Sequence, residues 1–234
     1  MDDPSIEASG FDHYANDYDA ALAEGLSASG EGKDYFCRGR VLWLANCLRR
    51  LQEKPQAVMD FGCGTGSATP YLIDLIGARS TLGLDNSAKS IELARRLFGS
   101  ENVSFLPLND YEPHGDVDLV YCNGVFHHIP LEQRSRAIDY VHRSLRLKGL
   151  FAFWENNPWN PGTRYVMSKI PFDRDAITLN LLEAGRLLQA GGFEILRKDF
   201  LFVFPRALKY FRVIEPFVSK LPLGGQYQIL CRKL

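Results

Sequence analysis

Three glycines and an acid that follows them have the spacing of a site for a nucleoside cofactor. The glycines form a G-x-G-x-G pattern and are Gly62, Gly64 and Gly66. Glycines so placed allow backbone conformations that other residues resist, and they let a ligand approach the main chain closely. Asp85 lies 19 residues after Gly66 and follows a second apolar run, where a carboxylate can accept hydrogen bonds from both ribose hydroxyls. The alternative role for Asp85 is to cap the helix that begins near Asn86-Ser87.

The segments around the glycines predict how the chain positions them. Residues 58–61 form a short apolar run, which reads as a buried strand. A helix is expected after the glycines, with Ser67 or Thr69 as its cap and Pro70 in its first turn. Its start would offer free N–H groups and the positive end of the helix dipole. A strand, a glycine turn and a helix in this order make a nucleotide-type cofactor site.

Two adjacent histidines, His127 and His128, follow the predicted strand 117–123. Ligands of open α/β sheets bind outside the carboxyl ends of strands, so residues 123–130 are expected to line the site. Histidine has an ordinary pKa that suits a base near neutral pH. Adjacent histidines point in different directions, so at most one should face a substrate, and packing at a helix start is the alternative. The sequence shows no further metal ligands near them, so no metal site is predicted.

Apolar periodicity divides the chain into strands that alternate with helices. The predicted strands are 58–61, 80–84, 103–106, 117–123, 150–154, 193–204 and 226–231. The helices outside the glycine segment are predicted at 34–51, 88–97, 131–147 and 177–190. Alternation of this kind predicts an α/β fold with a doubly wound sheet.

The run D-F-G-C-G-T-G at residues 60–66, with an acid after the next strand, resembles the motif of the class I S-adenosylmethionine (SAM) dependent methyltransferases. The resemblance covers roughly residues 11–200 and is nearest to small-molecule methyltransferases of the ubiquinone and menaquinone type. A dinucleotide fingerprint would place a glycine at position 67, where this chain has Ser67. A pyrophosphate ligand is therefore disfavoured, whereas SAM contains no phosphate.

The resemblance implies a fold and a cofactor. The fold would be a Rossmann-like sheet of seven strands in the order 3-2-1-4-5-7-6, with the last strand antiparallel between strands five and six. The cofactor would be SAM and its product S-adenosylhomocysteine (SAH). Asp110 would contact the adenine, with a turn-forming acid as the alternative, and residues 121–123 would pass the methionyl end. The cofactor-binding residues implied are Asp60, Gly62, Gly64, Gly66, Asp85, Asn86, Asn109, Asp110 and Asn123.

Aromatic side chains are expected on the substrate side of the site. Phe11, Tyr14 and Tyr18 recur at helical spacing, and in the resembling enzymes this segment folds over cofactor and substrate. Packing on the core is the alternative. The proline-rich stretch 155–173 follows a strand, so it is expected to be a loop over the site, with an ordinary surface loop as the alternative. The predicted substrate-binding residues are Tyr14, Tyr18, Phe126, Trp159, Arg164 and Tyr165. Arg40 is interpreted as a solvated side chain, with a position at the site as the alternative.

The length of 234 residues predicts one domain, residues 1–234, with two accessory parts. Residues 1–36 form an acidic arm that would act as a lid. Residues 205–225 form an insertion between the last two strands, and their apolar stripe beside basic residues predicts an amphipathic helix. Such a helix can pack on the sheet, form a dimer contact or, through residues 205–221, contact a membrane or a lipid. The sequence leaves the oligomeric state open.

Composition argues against several classes of function. The net charge of −1 provides no electrostatic footprint for nucleic acid. The five cysteines are an odd number without a C-x-x-C pair, so neither a disulfide framework nor a zinc site is predicted. The N-terminal residues are acidic, unlike a secretory signal or a transit peptide, and no apolar run approaches about 18 residues. A reduced, cytoplasmic location is the expectation.

These features together predict a SAM-dependent methyltransferase that acts on an oxygen, nitrogen or carbon atom of a small, partly apolar molecule. Attack on the methyl group needs mainly proximity, orientation and exclusion of water. His127 or His128 would act as the base where the acceptor must lose a proton. Two alternatives stay open: a non-catalytic SAM-binding partner subunit and a nicotinamide-dependent oxidoreductase. The intact glycines and Asp85 count against the first, and Ser67 counts against the second.

Overall fold

A computed structural model describes residues 18–173 and 176–234, with only the backbone for residues 18–21. Seven strands form a single sheet in the order β3-β2-β1-β4-β5-β7-β6. The strands are β1 Ala57–Phe61, β2 Ser80–Asp85, β3 Val103–Pro107, β4 Val117–Asn123, β5 Leu145–Asn156, β6 Phe193–Leu201 and β7 Gln226–Lys233. Strands β1 to β5 pair in parallel, and β7 pairs antiparallel with both β5 and β6. The predicted fold class and strand order are confirmed.

Helices cover both faces of this sheet. The longer ones are α1 Tyr18–Leu26, α2 Lys33–Leu51, α3 Thr69–Ile76, α4 Ala88–Phe98, α5 Arg134–Ser144, α6 Pro161–Lys169 and α7 Leu181–Ala190. Side chains of α2 and α3 pack with Val58, Tyr121 and Trp154 on one face. Side chains of α5 and α7 pack with alternate strand residues, such as Met59 and Phe153, on the other. Because both faces are buried, the central strands are almost continuously apolar.

The strand order creates the position where a ligand can bind. Strand β1 lies between β2 and β4, so the chain runs outward in opposite directions from the β1–β4 pair. The register aligns Asp60 with Tyr121, and it aligns Asp85 at the end of β2 with Pro107 at the end of β3. Loops that leave these carboxyl ends diverge to opposite faces and leave a crevice between them.

Three predicted segments differ from the structure. Residues 155–173 are not a loop, because α6 occupies residues 161–169 and the Asn160 side chain caps it by accepting from the Thr163 N–H. The helix after the glycines begins at Thr69, and its N-cap residue is Ala68, whose side chain cannot cap it. Neither predicted cap is therefore used, although Pro70 does lie in the first turn. Residues 206–214 form a 3-10 helix interrupted at Leu208, followed by the short helix α8, Glu215–Val218, instead of one amphipathic α-helix.

No helix among residues 18–173 and 176–234 is both long and apolar enough to cross a membrane.

Candidate functional site

The glycine turn joins β1 to α3 and closes over the end of β2. The amides of Gly62 and Cys63 both donate to the Leu84 carbonyl, at 2.8 and 2.9 Å. All three glycines have positive φ angles: 73° at Gly62, 52° at Gly64 and 79° at Gly66. A Cβ at Gly62 would lie 2.3 Å from a Val125 methyl, whereas a Cβ at Gly64 would have no described atom within 4 Å. Gly64 is therefore the glycine whose backbone faces open space.

The Asp85 carboxylate organises this turn. It accepts from the Gly64 amide at 2.8 Å and, through its other oxygen, from the Ser87 amide at 2.9 Å. The cap of α4 is Ser87 itself, whose hydroxyl accepts from the Ser90 amide. A carboxylate can accept about four hydrogen bonds, so the structural role of Asp85 is compatible with its predicted role in holding a ribose.

Asp60 is a buried carboxyl beneath the glycine turn. Its side chain is 2% exposed and accepts a hydrogen bond from the Thr69 hydroxyl at 2.7 Å. Burial raises the pKa of Asp60 to about 7, although the Thr69 bond opposes the shift and the charge of Asp85 adds to it. The group thus changes charge near neutral pH, at the place where the sequence predicts a cofactor contact.

We expect the free energy of unfolding of Asp60→Asn to increase, relative to that of the unchanged protein, as the pH rises. Below pH 4 the Asp60 carboxyl is protonated in both folded and unfolded chains, and its favourable contribution is lost as the pH rises towards the folded-state pKa of about 7. Asparagine keeps an acceptor for Thr69 without this penalty. Between pH 5 and pH 7 the difference in unfolding free energy should grow by on the order of 2 kcal/mol, measured by urea unfolding without ligand. A constant difference would contradict the raised pKa.

The other predicted cofactor residues lie along the same edge of the sheet. Asn123 ends β4, and its side-chain oxygen is buried with no hydrogen-bond partner among the described residues. Asn86 is half-buried directly after Asp85. Asn109 and Asp110 are exposed in a 3-10 turn after β3. This arrangement brings Asp60, Asp85 and Asn123 to the ends of three neighbouring strands.

A cavity of about 370 Å³ opens beside Asn123 and Gly124. Its walls come from α1, α2, α6 and the segments that follow β4 and β6. The apolar lining includes Leu22, Leu26, Phe36, Met167, Ile170, Phe172 and Phe202. The polar lining includes Arg40, Asn123, His127, His128, Asn156 and Asp173. An apolar pocket with a few convergent polar groups is the usual form of a small-molecule site.

Arg40 enters this cavity from α2 and is buried, so its interpretation as a solvated side chain is wrong. Its guanidinium donates to the Tyr121 hydroxyl at 3.0 Å, to the Gln226 amide oxygen at 2.9 Å and to the Cys37 sulfur at 3.3 Å. All three partners are neutral groups, and no described carboxylate forms a salt bridge with Arg40. A buried cation without an anionic partner is suited to hold a carboxylate ligand.

A cluster of two histidines and two acids forms another part of the cavity wall. His127 Nδ1 lies 2.7 Å from Glu155 Oε2, and the two groups are almost completely buried. The other Glu155 oxygen accepts from the backbone amides of Phe126 and His127. Asp173 Oδ1 lies 3.5 Å from His127 Nε2 and 3.3 Å from His128 Nε2. The sequence-based prediction that no further ligand-type side chain lies near the histidines is therefore wrong.

The two histidines differ in their charge states. Burial lowers the pKa of His127, but the facing carboxylate of Glu155 and the nearby Asp173 outweigh this and raise it to about 10. His127 is thus protonated at neutral pH, and it cannot act as the predicted base. Burial lowers the pKa of His128, although Asp173 opposes this shift. Of the two, only His128 presents a neutral imidazole to the cavity.

The predicted substrate-binding residues have mixed outcomes. The prediction for Phe126 is wrong, because its side chain is fully buried against Phe153 in the core. Tyr165 lines the cavity, but the exposed Trp159 and Arg164 are not part of its wall. Phe11 and Tyr14 lie outside the described residues, as does the side chain of Tyr18. The substrate contacts of these residues stay predictions.

The insertion carries an exposed apolar surface. Tyr210, Val213 and Phe217 are the most exposed of its large apolar side chains. Two of its basic residues form ion pairs within the chain, Arg212 with Glu31 and Lys220 with Asp199. The choice between packing, dimerisation and lipid contact for residues 205–221 stays a prediction.

The sequence matches a family model in the part of the chain that carries the glycine turn. Residues 58–149 match the model of the methyltransferase domain. This match, the methyltransferases among its relatives and the shared fold support a class I SAM-dependent methyltransferase. The confirmed strand order is the one that this assignment implies. The ubiquinone and menaquinone likeness expected from the sequence is finer than the family model and stays a prediction.

Individual relatives cover different parts of this chain. A trans-aconitate 2-methyltransferase of Rhizobium etli is 34% identical over 80 residues, which are 34% of this chain and 31% of that protein. An uncharacterised methyltransferase of Synechocystis is 29% identical over 162 residues, covering 64% of this chain and 73% of that one. The chain spans about a third of the length of the trans-aconitate relatives it matches.

A solved structure shares the fold of this chain over nearly its whole length. The plantazolicin methyltransferase BpumL, in complex with SAH, superposes with a TM-score of 0.63 over 96% of this chain and 99% of that one. The two sequences are 14% identical, so the likeness concerns the fold alone.

Proposed function

We propose that the chain transfers the methyl group of SAM to an acceptor atom of a small, partly apolar molecule held in the cavity. The observation that carries this proposal is the position of the glycine turn. The Asp85 carboxylate accepts a hydrogen bond from the Gly64 amide of this turn. The turn lies at the same edge of the sheet as Asn123, which is part of the cavity wall. A cofactor bound across the turn would therefore reach the space where an acceptor fits.

The residues at this edge fit the chemical groups of SAM. Asp85 would accept from the ribose hydroxyls, and the open space at Gly64 leaves room for close approach to the main chain. The unpartnered oxygen of Asn123 would accept from the amino group. Arg40 would pair with the methionyl carboxylate, because it is bonded to Tyr121 in β4, two residues before Asn123. When bound, SAM supplies an electrophilic methyl group on a sulfonium.

The chain itself has to place the acceptor and keep water away. The apolar side chains of α1, α2 and α6 surround the cavity and favour an acceptor with an apolar part. Residues 1–36 would act as a lid, since the described part of this arm contributes Leu22 and Leu26 to the wall. Where the acceptor must lose a proton, His128 is the histidine placed to take it.

A small carboxylic acid is the acceptor class that we favour. The relatives named trans-aconitate 2-methyltransferase act, by that name, on a small organic acid. The cavity has the volume for such a molecule, and the imidazoles of His127 and His128 in its wall offer it hydrogen-bonding groups. Trans-aconitate is therefore the first acceptor to test.

The experiment is calorimetric titration of the purified protein with SAM and, separately, with NAD. Micromolar SAM binding is expected, and Asp85→Ala should weaken it by about 100-fold or more, because two hydrogen bonds to a charged group are worth about 1.5–3 kcal/mol each. Asp85→Asn, which keeps an acceptor for the Gly64 amide, should retain the fold and separate lost ribose contacts from a disturbed turn.

The same titrations distinguish the alternatives. Preferential binding of NAD would favour the oxidoreductase. SAM binding without methyl transfer to any acid in an acceptor panel would favour the non-catalytic partner subunit. Absence of SAM binding by the folded protein, also with candidate acceptors present, would reject the proposed function.

A further inference from the structure

We propose that His127, His128 and Asp173 bind a divalent transition-metal ion in the cavity wall, through the two imidazole Nε2 atoms and one carboxylate oxygen. The metal site follows from the geometry of these side chains alone. A second part of the proposal rests on the proposed function: when the ion is bound, its open coordination positions take an oxygen atom of the methyl acceptor, and His128 serves as a ligand instead of a base.

The distances between the three side chains suit a common ion. Zn²⁺ binds histidine nitrogen at about 2.0–2.1 Å and carboxylate oxygen at about 2.0–2.2 Å, so two ligand atoms in a tetrahedral site are about 3.3–3.5 Å apart. Asp173 Oδ1 lies 3.5 Å from His127 Nε2 and 3.3 Å from His128 Nε2. One ligand atom from each of the three residues lies within 4.8 Å of the others. The remaining distance is the one between the ligand nitrogens of the two histidines. A small rotation of the imidazole rings would bring this distance to the same length.

His127 has the surroundings of a metal-binding histidine. Its Nε2 is buried, lacks a hydrogen-bond partner among the described residues and points towards Asp173. Its other nitrogen, Nδ1, lies 2.7 Å from the Glu155 carboxylate. A carboxylate behind a ligating histidine fixes the ring orientation and increases its basicity, and it is the usual support for such a ligand. A bound ion would give His127 Nε2, which has no hydrogen-bond partner among the described residues, a partner to coordinate.

Formal charge also favours a divalent cation here. Glu155 and Asp173 are buried carboxylates that face the same pair of imidazoles. A divalent ion that displaces the Nε2 proton of His127, and is then ligated by two neutral imidazoles, would balance the two negative charges within a few ångströms. Buried carboxylates are generally paired with cations or coordinate metals.

The ligand set indicates the class of ion and its role. Two imidazoles and one carboxylate, with further positions open, are typical of catalytic zinc and of non-haem iron. All three side chains line the cavity, so the open positions would face the acceptor. Bound to the ion through one carboxylate oxygen, the acceptor would be held in place with its other oxygen directed at the methyl group. A lone pair of that other oxygen would then attack the methyl carbon, while the carbon–sulfur bond breaks and leaves its electron pair on sulfur.

The test is titration of tag-free, metal-free protein with Zn²⁺ by calorimetry and with Co²⁺ by visible absorption. We expect one ion per chain and a Co²⁺ spectrum of low coordination number. His128→Ala and Asp173→Asn should each weaken Zn²⁺ binding at least tenfold and diminish the Co²⁺ bands. His114→Ala is the matched control, because His114 is exposed and distant from the cavity wall, and this variant should bind both ions like the unchanged protein.

SAM titration of the same samples separates the two proposals. Retained SAM binding by His128→Ala and Asp173→Asn shows that these variants are folded. SAM binding without stoichiometric Zn²⁺ binding overturns the metal site, and so does Zn²⁺ binding that neither variant weakens. Zn²⁺ binding without SAM binding supports the metal site and rejects the proposed function, together with the role of the ion in holding the acceptor.

Discussion

Glu155→Ala is expected to lower the free energy of unfolding by about 3–5 kcal/mol, because it leaves His127 as a buried cation without its closest counter-charge. The Glu155 carboxylate is 2.7 Å from His127 Nδ1 and also accepts from the amides of Phe126 and His127. One substitution thus breaks a buried ion pair and leaves backbone donors unpaired. Urea unfolding monitored by circular dichroism at pH 7 measures the loss.

A surface ion pair provides the matched control for Glu155. Glu53 pairs with Arg232 at 2.9 Å, but both side chains are partly exposed. Glu53→Ala should therefore change the unfolding free energy by no more than about 1 kcal/mol. Equal losses for the two variants would mean that the buried pair does not support the turn after β4.

Arg40→Met is expected to leave stability nearly unchanged while it weakens SAM binding by about 10- to 100-fold. Removing the guanidinium deprives Tyr121 and Gln226 of a hydrogen-bond donor, which lowers the free energy of unfolding. It also removes a buried charge that has no described anionic partner, which raises the free energy of unfolding. A hydrogen bond between charged groups is worth about 1.5–3 kcal/mol, which gives the expected loss in affinity. Thermal unfolding and calorimetric titration measure the two quantities separately.

A ligand without the carboxylate sharpens the test of Arg40. Methylthioadenosine keeps the nucleoside of SAH but lacks the methionyl carboxylate, so Arg40→Met should bind it as the unchanged protein does. Arg38→Met, an exposed position on the same helix, should affect neither ligand. Equal weakening of SAH and methylthioadenosine would show that Arg40 acts on the fold of the site and not on the carboxylate.

The features that the sequence predicts well are those encoded within short segments. The glycine turn, the strand before it and Asp85 lie within residues 58–85, and each leaves a local signature of apolar runs, glycine spacing or a strand-end acid. The strand order was implied by the family resemblance and not by the residues of any one segment. The short helix α6 could also have been recognised, since Asn160-Pro161 is a good helix start, but its prolines suggested a loop.

The missed residues acquire their roles only through distant contacts. Glu155 and Asp173 meet the histidines across 28 and 45 residues of sequence, and nothing near them indicates a partner. Two weak signals were available. Glu155 ends an otherwise apolar run, and Arg40 lies four residues from both Phe36 and Leu44, on the apolar face of its helix. A charged side chain that is fully buried is nearly always paired, so a charge on an apolar face is a reason to look for a buried partner.

The position of β7 has a consequence for how the protein assembles during synthesis. Strand β6 has β7 as its neighbour in the sheet, and β7 is the later of the two in sequence, separated from β6 by the insertion. While the ribosome adds residues 202–225, β6 has no strand to pair with, and the outer side of β5 is open as well. Long-range pairing of this kind slows folding and exposes strand edges. The nascent chain therefore passes through an interval in which two unpaired strand edges are accessible to chaperones or to other unfinished chains.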